Sequence, residues 1–188
     1  MAPPDDQGGR SESQEDDGTH RLPRLGTGRA GEIVGSGDGS GLRLGVVCAR
    51  YNEAVTLRLL DGAERAAERC ALGADGLVVA WVPGAFELPL AARAFASTGA
   101  LDAVVCLGAV IRGETSHYDF VAGQCAAGLQ QVQLETGLPV VFGVLTTDNL
   151  DQALARSGGD AGDKGAEAIL TAVEMVHVTR AISRIAKA

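Results

Sequence analysis

Residues 101–120 read LDAVVCLGAVIRGETSHYDF, and this stretch decides the fold. Its first half, from Ala103 to Ile111, is the longest apolar run in the chain. That is the length of a buried strand, far short of the roughly 18 residues that a membrane span requires. The run is rich in Val and lacks polar alternation, which marks a strand covered on both faces. A polar, glycine-containing loop follows, and helical spacing begins at Tyr118 and carries to Thr136.

Strand, loop and helix recur on either side. Residues 42–48 (LRLGVVC) form an apolar run, and residues 53–70 follow with helical spacing at Val55, Leu59, Ala63, Ala66, Ala67 and Cys70. Residues 77–82 (LVVAWV) are strand-like and residues 85–97 helix-like. After the central stretch, residues 139–144 (PVVFGV) give a fourth strand. A short helix over 150–156, a Gly-rich turn and a long helix over 164–187 complete the chain. All four strands are expected to be buried on both faces. Such alternation predicts an α/β protein, a flavodoxin-like three-layer α/β/α sandwich around a central four-stranded parallel sheet. Residues 32–35 could add an N-terminal edge strand, to this sheet or to that of a neighbouring subunit.

Of the 188 residues, the first 31 are rich in Gly, Ser, Pro and acids, a composition that cannot offset the entropy of ordering. They are expected to be a disordered extension, with one domain over 32–188. Residues 1–40 hold eight acids and four bases and the remaining 148 hold 16 and 12, so each part carries −4 of the total −8. No basic face is concentrated anywhere, which argues against nucleic acid as a partner, and no apolar run is long enough for a membrane. The first residues lack the apolar segment of a secretory signal. Cys48, Cys70, Cys106 and Cys125 show no metal spacing and read as reduced, small hydrophobes, giving a cytoplasmic expectation.

Ligands of open parallel sheets bind beyond the carboxyl ends of the strands, so chemistry should lie there. Of seven aromatic residues, Tyr51, Trp81, Phe86, Tyr118, Phe120 and Phe142 lie in or beside those ends. This clustering fits a bound planar ring; for Trp81, Phe86 and Phe120, filling the layer between sheet and helices is an equal alternative. His117, at a helix start, can shuttle a proton near neutral pH or simply cap and decorate the helix. The loop before it, with Gly113, Thr115 and Ser116, offers backbone amides and hydroxyls to an anion. Arg156 could hold phosphate with its fork or end its helix in solvent, and Lys164 has the same two readings. Glu87 behind Pro83-Gly84 could accept ligand hydrogen bonds or merely serve as a first-turn acid.

Five segments taken together resemble the lumazine synthase family of riboflavin biosynthesis. They are Arg50-Tyr51-Asn52, the run from Pro83 to Pro89 (PGAFELP), the loop from Gly108 to Asp119, Gly143-Val144-Leu145-Thr146-Thr147, and Gly162-Asp163-Lys164-Gly165 with Glu174-Met175 beyond. The likeness is colinear over about residues 41–178. It implies condensation of 5-amino-6-ribitylaminopyrimidine-2,4-dione with 3,4-dihydroxy-2-butanone 4-phosphate to 6,7-dimethyl-8-ribityllumazine, phosphate and water, with no cofactor and no metal. It also implies a role for each matching position. Tyr51, where the family has Phe or Trp, would stack on the pyrimidine. Asn52, Ala85, Phe86 and Glu87 would line the ribityl chain and nearby atoms. Val110 and Ile111 would present backbone to the heterocycle, while Lys164 would lie near the ring. Phe142 would come from the adjacent subunit. Glu114, Thr115 and Arg156 would form the phosphate pocket, with His117 as the catalytic proton carrier.

The resemblance further implies small-molecule substrates, active sites between subunits, and a homopentamer. The short Gly-rich turn over 157–163 fits the members that close into icosahedral shells of sixty. Riboflavin synthase is a candidate partner. A family member retaining only ligand binding or a scaffold role is the main alternative, and the intact His117, Arg156 and Glu87 speak against it. A phosphate-binding or receiver domain is disfavoured because Ala49-Arg50-Tyr51-Asn52-Glu53 offers neither a Gly-Lys-Ser/Thr loop nor an acidic cluster. The all-β pattern of riboflavin synthase itself is absent.

Overall fold

A computed structural model describes residues 29–185 of the chain. The expected extension over 1–31 lies almost wholly outside these residues. Every strand of the main sheet runs parallel to its neighbours, so each connection must cross over rather than turn back tightly. The strands are β1 (Leu44–Ala49), β2 (Leu77–Val82), β3 (Ala103–Ile111) and β4 (Val140–Thr147), in the order β2-β1-β3-β4.

Alternate side chains of the strands sort into two cores. Leu44, Val46 and Cys48 of β1, with Val105 and Leu107 of β3, pack against α1 (Glu53–Arg69) and α5 (Lys164–Ile185). Val47 and Ala49, with Val104 and Cys106, pack against α2 (Leu88–Ser97) and α3 (His117–Thr136). The three-layer reading therefore holds, with α1 and α5 on one face and α2 and α3 on the other. Among the described residues no helix is long and apolar enough to cross a membrane.

Several expectations need correction. β2 is not buried on both faces: Val78, Val79 and Trp81 are exposed, because it is an edge strand whose outer side carries no helix in the single chain. β3 ends at Ile111 as its apolar run predicts, but β4 runs to Thr147, beyond the apolar core read from sequence, because its polar end still finds a partner on β3. Residues 85–97 are not one helix. Ala85–Glu87 is a 3-10 turn and α2 starts at Leu88, with Pro89 in its first turn, where a missing amide hydrogen costs nothing. The Gly-rich turn is a small antiparallel hairpin, β5 (Ser157–Gly159) with β6 (Gly162–Asp163), following α4 (Leu150–Ala155). Residues 32–35 add no strand to the chain's own sheet; Gly35 instead sits so close to Glu174 on α5 that a Cβ would collide with that side chain.

Candidate active site

The strand order reverses between β1 and β3, since β1 connects outward to β2 while β3 connects outward to β4. An open parallel sheet leaves a crevice at such a switch point, beyond the carboxyl ends. A cleft of about 430 Å³ lies there, lined by Tyr51, Asn52, Glu87, Ile111, His117 and Phe120 among others. Asn52 ties its two sides together: its Nδ2 donates to the Ala109 carbonyl at 2.7 Å. Its backbone is left-handed (φ 62°), a conformation that Asn tolerates better than most residues.

The Tyr51 ring lies against Gly84. A Cβ there would stand 2.7 Å from Tyr51 Cδ2, so the glycine is what admits the ring. Glu87 folds its carboxylate back onto the same loop and accepts the Gly84 amide at 2.9 Å. Ala85, Phe86 and Val110 complete this wall. Tyr51, Phe86 and Phe120 are 72%, 57% and 66% exposed, so Phe86 and Phe120 do not fill the layer between sheet and helices. Trp81 does not either, since it projects from the edge strand; Phe95 packs in that layer instead.

His117 opens α3 on the rim of this cleft, its amide donating to Thr115 Oγ1 at 3.4 Å. Glu114 and Thr115 occupy the exposed arch between β3 and α3 and line neither this cleft nor the second one described below. Arg112 braces the base of the arch. Its guanidinium lies 4.0 Å from the centre of the Tyr118 ring and pairs with Asp119 at 3.3 Å and Asp148 at 3.4 Å.

Phe142, Arg156 and Lys164 are placed elsewhere. They line a second cleft of about 410 Å³ along β4, the opposite edge of the sheet, together with Thr146, Glu167 and Thr171. Arg156 Nη1 donates to the Gln152 carbonyl at 3.0 Å, which leaves most of its fork uncommitted. Lys164 Nζ donates to Glu167 Oε2 at 2.6 Å, whereas Glu167 Oε1 is buried without a hydrogen-bond partner. A buried carboxylate oxygen without a donor is costly, and such exceptions cluster where a ligand or neighbour completes the set. Sequence reasoning missed Glu167. Its i+3 spacing from Lys164 on a helix start was the available signal.

The four cysteines are free and buried, away from both clefts. Loss of solvation pushes the Cys48 thiol up to about 12 and that of Cys125 to about 11, and raises Cys70 and Cys106 as well. They are poor nucleophiles, in keeping with a packing role.

Residues 41–180 match the family model described as 6,7-dimethyl-8-ribityllumazine synthase. Proteins of that name are similar over most of their length. One from Thermus thermophilus is 56% identical over 146 residues, covering 77% of this chain and 92% of that protein. One from Protochlamydia amoebophila is 52% identical over 141 residues, 75% of this chain and 82% of that protein. On a match of this extent to a fold with a cleft at its switch point, the chain belongs to the 6,7-dimethyl-8-ribityllumazine synthase family.

Proposed function

We propose that this enzyme condenses the ribitylaminopyrimidine with the butanone phosphate in a site assembled from two copies of the chain. The observation that carries this reading is the division of the candidate residues. The switch-point cleft holds the ring-stacking Tyr51, the polar Asn52 and Glu87, and His117. The β4 cleft holds Phe142, the cations Arg156 and Lys164, and the half-satisfied Glu167. One half has a flat apolar face and a proton carrier, the other positive charge for a phosphate. Either alone lacks what the reaction needs.

In the joined site, Tyr51 stacks on the pyrimidine, and the backbone of Val110 and Ile111 faces its edge. Asn52 and Glu87 accept or donate along the ribityl chain, beside Ala85 and Phe86. Arg156 grips the phosphate through its planar fork, with Thr115 and Glu114 on the arch opposite, and Lys164 stands near the ring. The pyrimidine's own 5-amino group attacks the ketone and water leaves to form an imine. Phosphate is then eliminated, and the ribitylamino nitrogen closes the ring with loss of a second water. His117 carries protons to and from these departing groups. Since the substrate supplies the nucleophile, the larger part of the rate enhancement comes from juxtaposition, worth roughly 7–11 kcal/mol in well-oriented systems.

The assembly that fits is a pentamer, closing further into a shell of sixty because the hairpin over 157–163 is short. The compartment is the cytoplasm, and riboflavin synthase, which consumes the product, is the candidate partner. The primary test is lumazine formation followed by absorbance with both substrates, against a protein-free blank, with phosphate release in step. No acceleration by assembled protein would leave only a binding or scaffold role. Light scattering giving a pentamer at physiological salt and phosphate would exclude the shell.

A further inference from the structure

We infer that Asp163 is a positioning residue that sets both cations of the β4 cleft, and that Gly62 on α1 is the seat that makes this possible. The inference rests on the reading of Arg156 as the phosphate ligand. Asp163 ends β6, directly before Lys164, and its carboxylate serves three elements at once. Oδ1 accepts the Ala166 amide at 3.0 Å, which caps the first turn of α5. Oδ2 pairs with Arg65 of α1 at 3.1 Å. The carboxylate lies directly over Gly62, where a Cβ would collide with both of its oxygens.

The neighbouring contacts have the same direction. Arg58 Nε, one helical turn before Gly62, donates to the Ser157 carbonyl at 3.1 Å. Gly165 lies so close to Leu59 that a Cβ would run into its carbonyl group. Residues 58, 59, 62 and 65 thus form one face of α1 that receives the hairpin and the start of α5. Arg156 precedes the hairpin and Lys164 follows it. A carboxylate fixing the hairpin base to α1 therefore fixes where both cations point, although it lines neither cleft. Small misplacements of a binding group are expensive, since about 1 Å can cost on the order of a hundredfold.

The test compares apparent KM for the butanone phosphate in Asp163→Ala, Asp163→Asn, Gly62→Ala and Arg156→Ala, with pyrimidine KM, kcat and thermal midpoint measured alongside. Asp163→Ala and Gly62→Ala should each raise phosphate-substrate KM by about tenfold or more, with a smaller change for the pyrimidine. Asp163→Asn keeps an acceptor for the Ala166 amide and should return that KM to within about twofold of the parent. A lowered midpoint with unchanged KM in both Asp163→Ala and Gly62→Ala, while Arg156→Ala raises it, would reduce Asp163 to a structural cap and overturn the inference. An unchanged KM in Arg156→Ala would instead remove the phosphate reading beneath it. Should Asp163→Ala fail to fold, Gly62→Ala and Asp163→Asn decide: a normal KM in Gly62→Ala overturns the inference.

Discussion

The backbone amide of Lys164 donates to the carbonyl of Arg156 at 2.9 Å, so the two cations of the β4 cleft flank the closed base of one hairpin. Seven residues separate them along the chain, yet this backbone bond holds the two positions adjacent in space. Arg156→Ala should therefore leave Lys164 in place and act on the phosphate alone. The expected outcome is a KM for the butanone phosphate raised by at least about tenfold, as loss of a charge-assisted fork implies, with pyrimidine affinity nearly unchanged. Arg156→Lys should recover only part, because a point charge does not replace a planar fork. Steady-state kinetics in each substrate check this; a normal phosphate-substrate KM in the alanine variant would contradict the assignment.

His117→Ala should slow turnover without abolishing it. Proton transfer contributes about 10²–10⁴-fold, whereas the juxtaposition of the two substrates survives the change. Single-turnover rates at saturating substrate are the measurement. A wild-type rate would make His117 an ordinary first-turn residue.

Tyr51→Phe should change pyrimidine affinity little, because the stacking face is kept, and Tyr51→Ala should lose roughly 1–3 kcal/mol of binding, the order for aromatic stacking on a base. Gly84→Ala offers an independent view, since its new Cβ must displace the Tyr51 ring. It should weaken the pyrimidine in the same direction. Calorimetric titration with the pyrimidine or a ring analogue distinguishes these outcomes, and an unaltered affinity in Tyr51→Ala would take the tyrosine out of the ring site.

Co-expression of His117→Ala with Arg156→Ala chains should restore activity above that of either variant alone. With the butanone phosphate held well below its KM, about a quarter of the joined sites in randomly mixed assemblies receive both intact residues, and the expected activity is about a quarter of the parent's. If both residues served a site within one chain, mixing would restore nothing.

The raised cysteine pKa values give a pH signature with a definite sign. A thiol raised from its ordinary value of 9.0 to about 12, as at Cys48, stays neutral in the fold while the unfolded chain ionises. Its contribution is intact below about pH 9 and is lost progressively as pH rises toward 12. Cys125 acts likewise up to about 11. Denaturation midpoints should fall more steeply in this window for the parent than for a Cys48→Ala, Cys125→Ala double variant, and thiol reagents should react only after unfolding. Equal slopes would mean that the native state does not resist these ionisations.

Much of the layer arrangement was legible because Val-rich runs such as residues 103–107 admit few other placements, and the helical spacing from Val55 to Cys70 is long. The edge character of β2 was hidden because LVVAWV reads the same whether a helix or another molecule covers it. The end of β4 was hidden for a related reason: its ladder bonds to β3 continue past the apolar core, where composition is silent. For the candidate site, aromatic clustering at strand ends indicated where to look, and the resemblance supplied which residues. Neither indicated that Glu167 would have a buried oxygen without a donor, since that depends on how tightly α5 closes against β4. The hairpin over 157–163 escaped notice because its glycines signal a turn but not its pairing.

The two clefts occupy different surfaces of one chain, at the switch point and at the β4 edge, and this has a consequence for symmetry. Where one chain's switch-point cleft meets a neighbour's β4 cleft and no second contact returns the exchange, the copies join head to tail. A dimer on that contact would complete one site and strand two unmatched halves. An open row would always leave one of each at its ends, free to add further copies. Only a closed ring contains as many whole sites as chains, with no remainder.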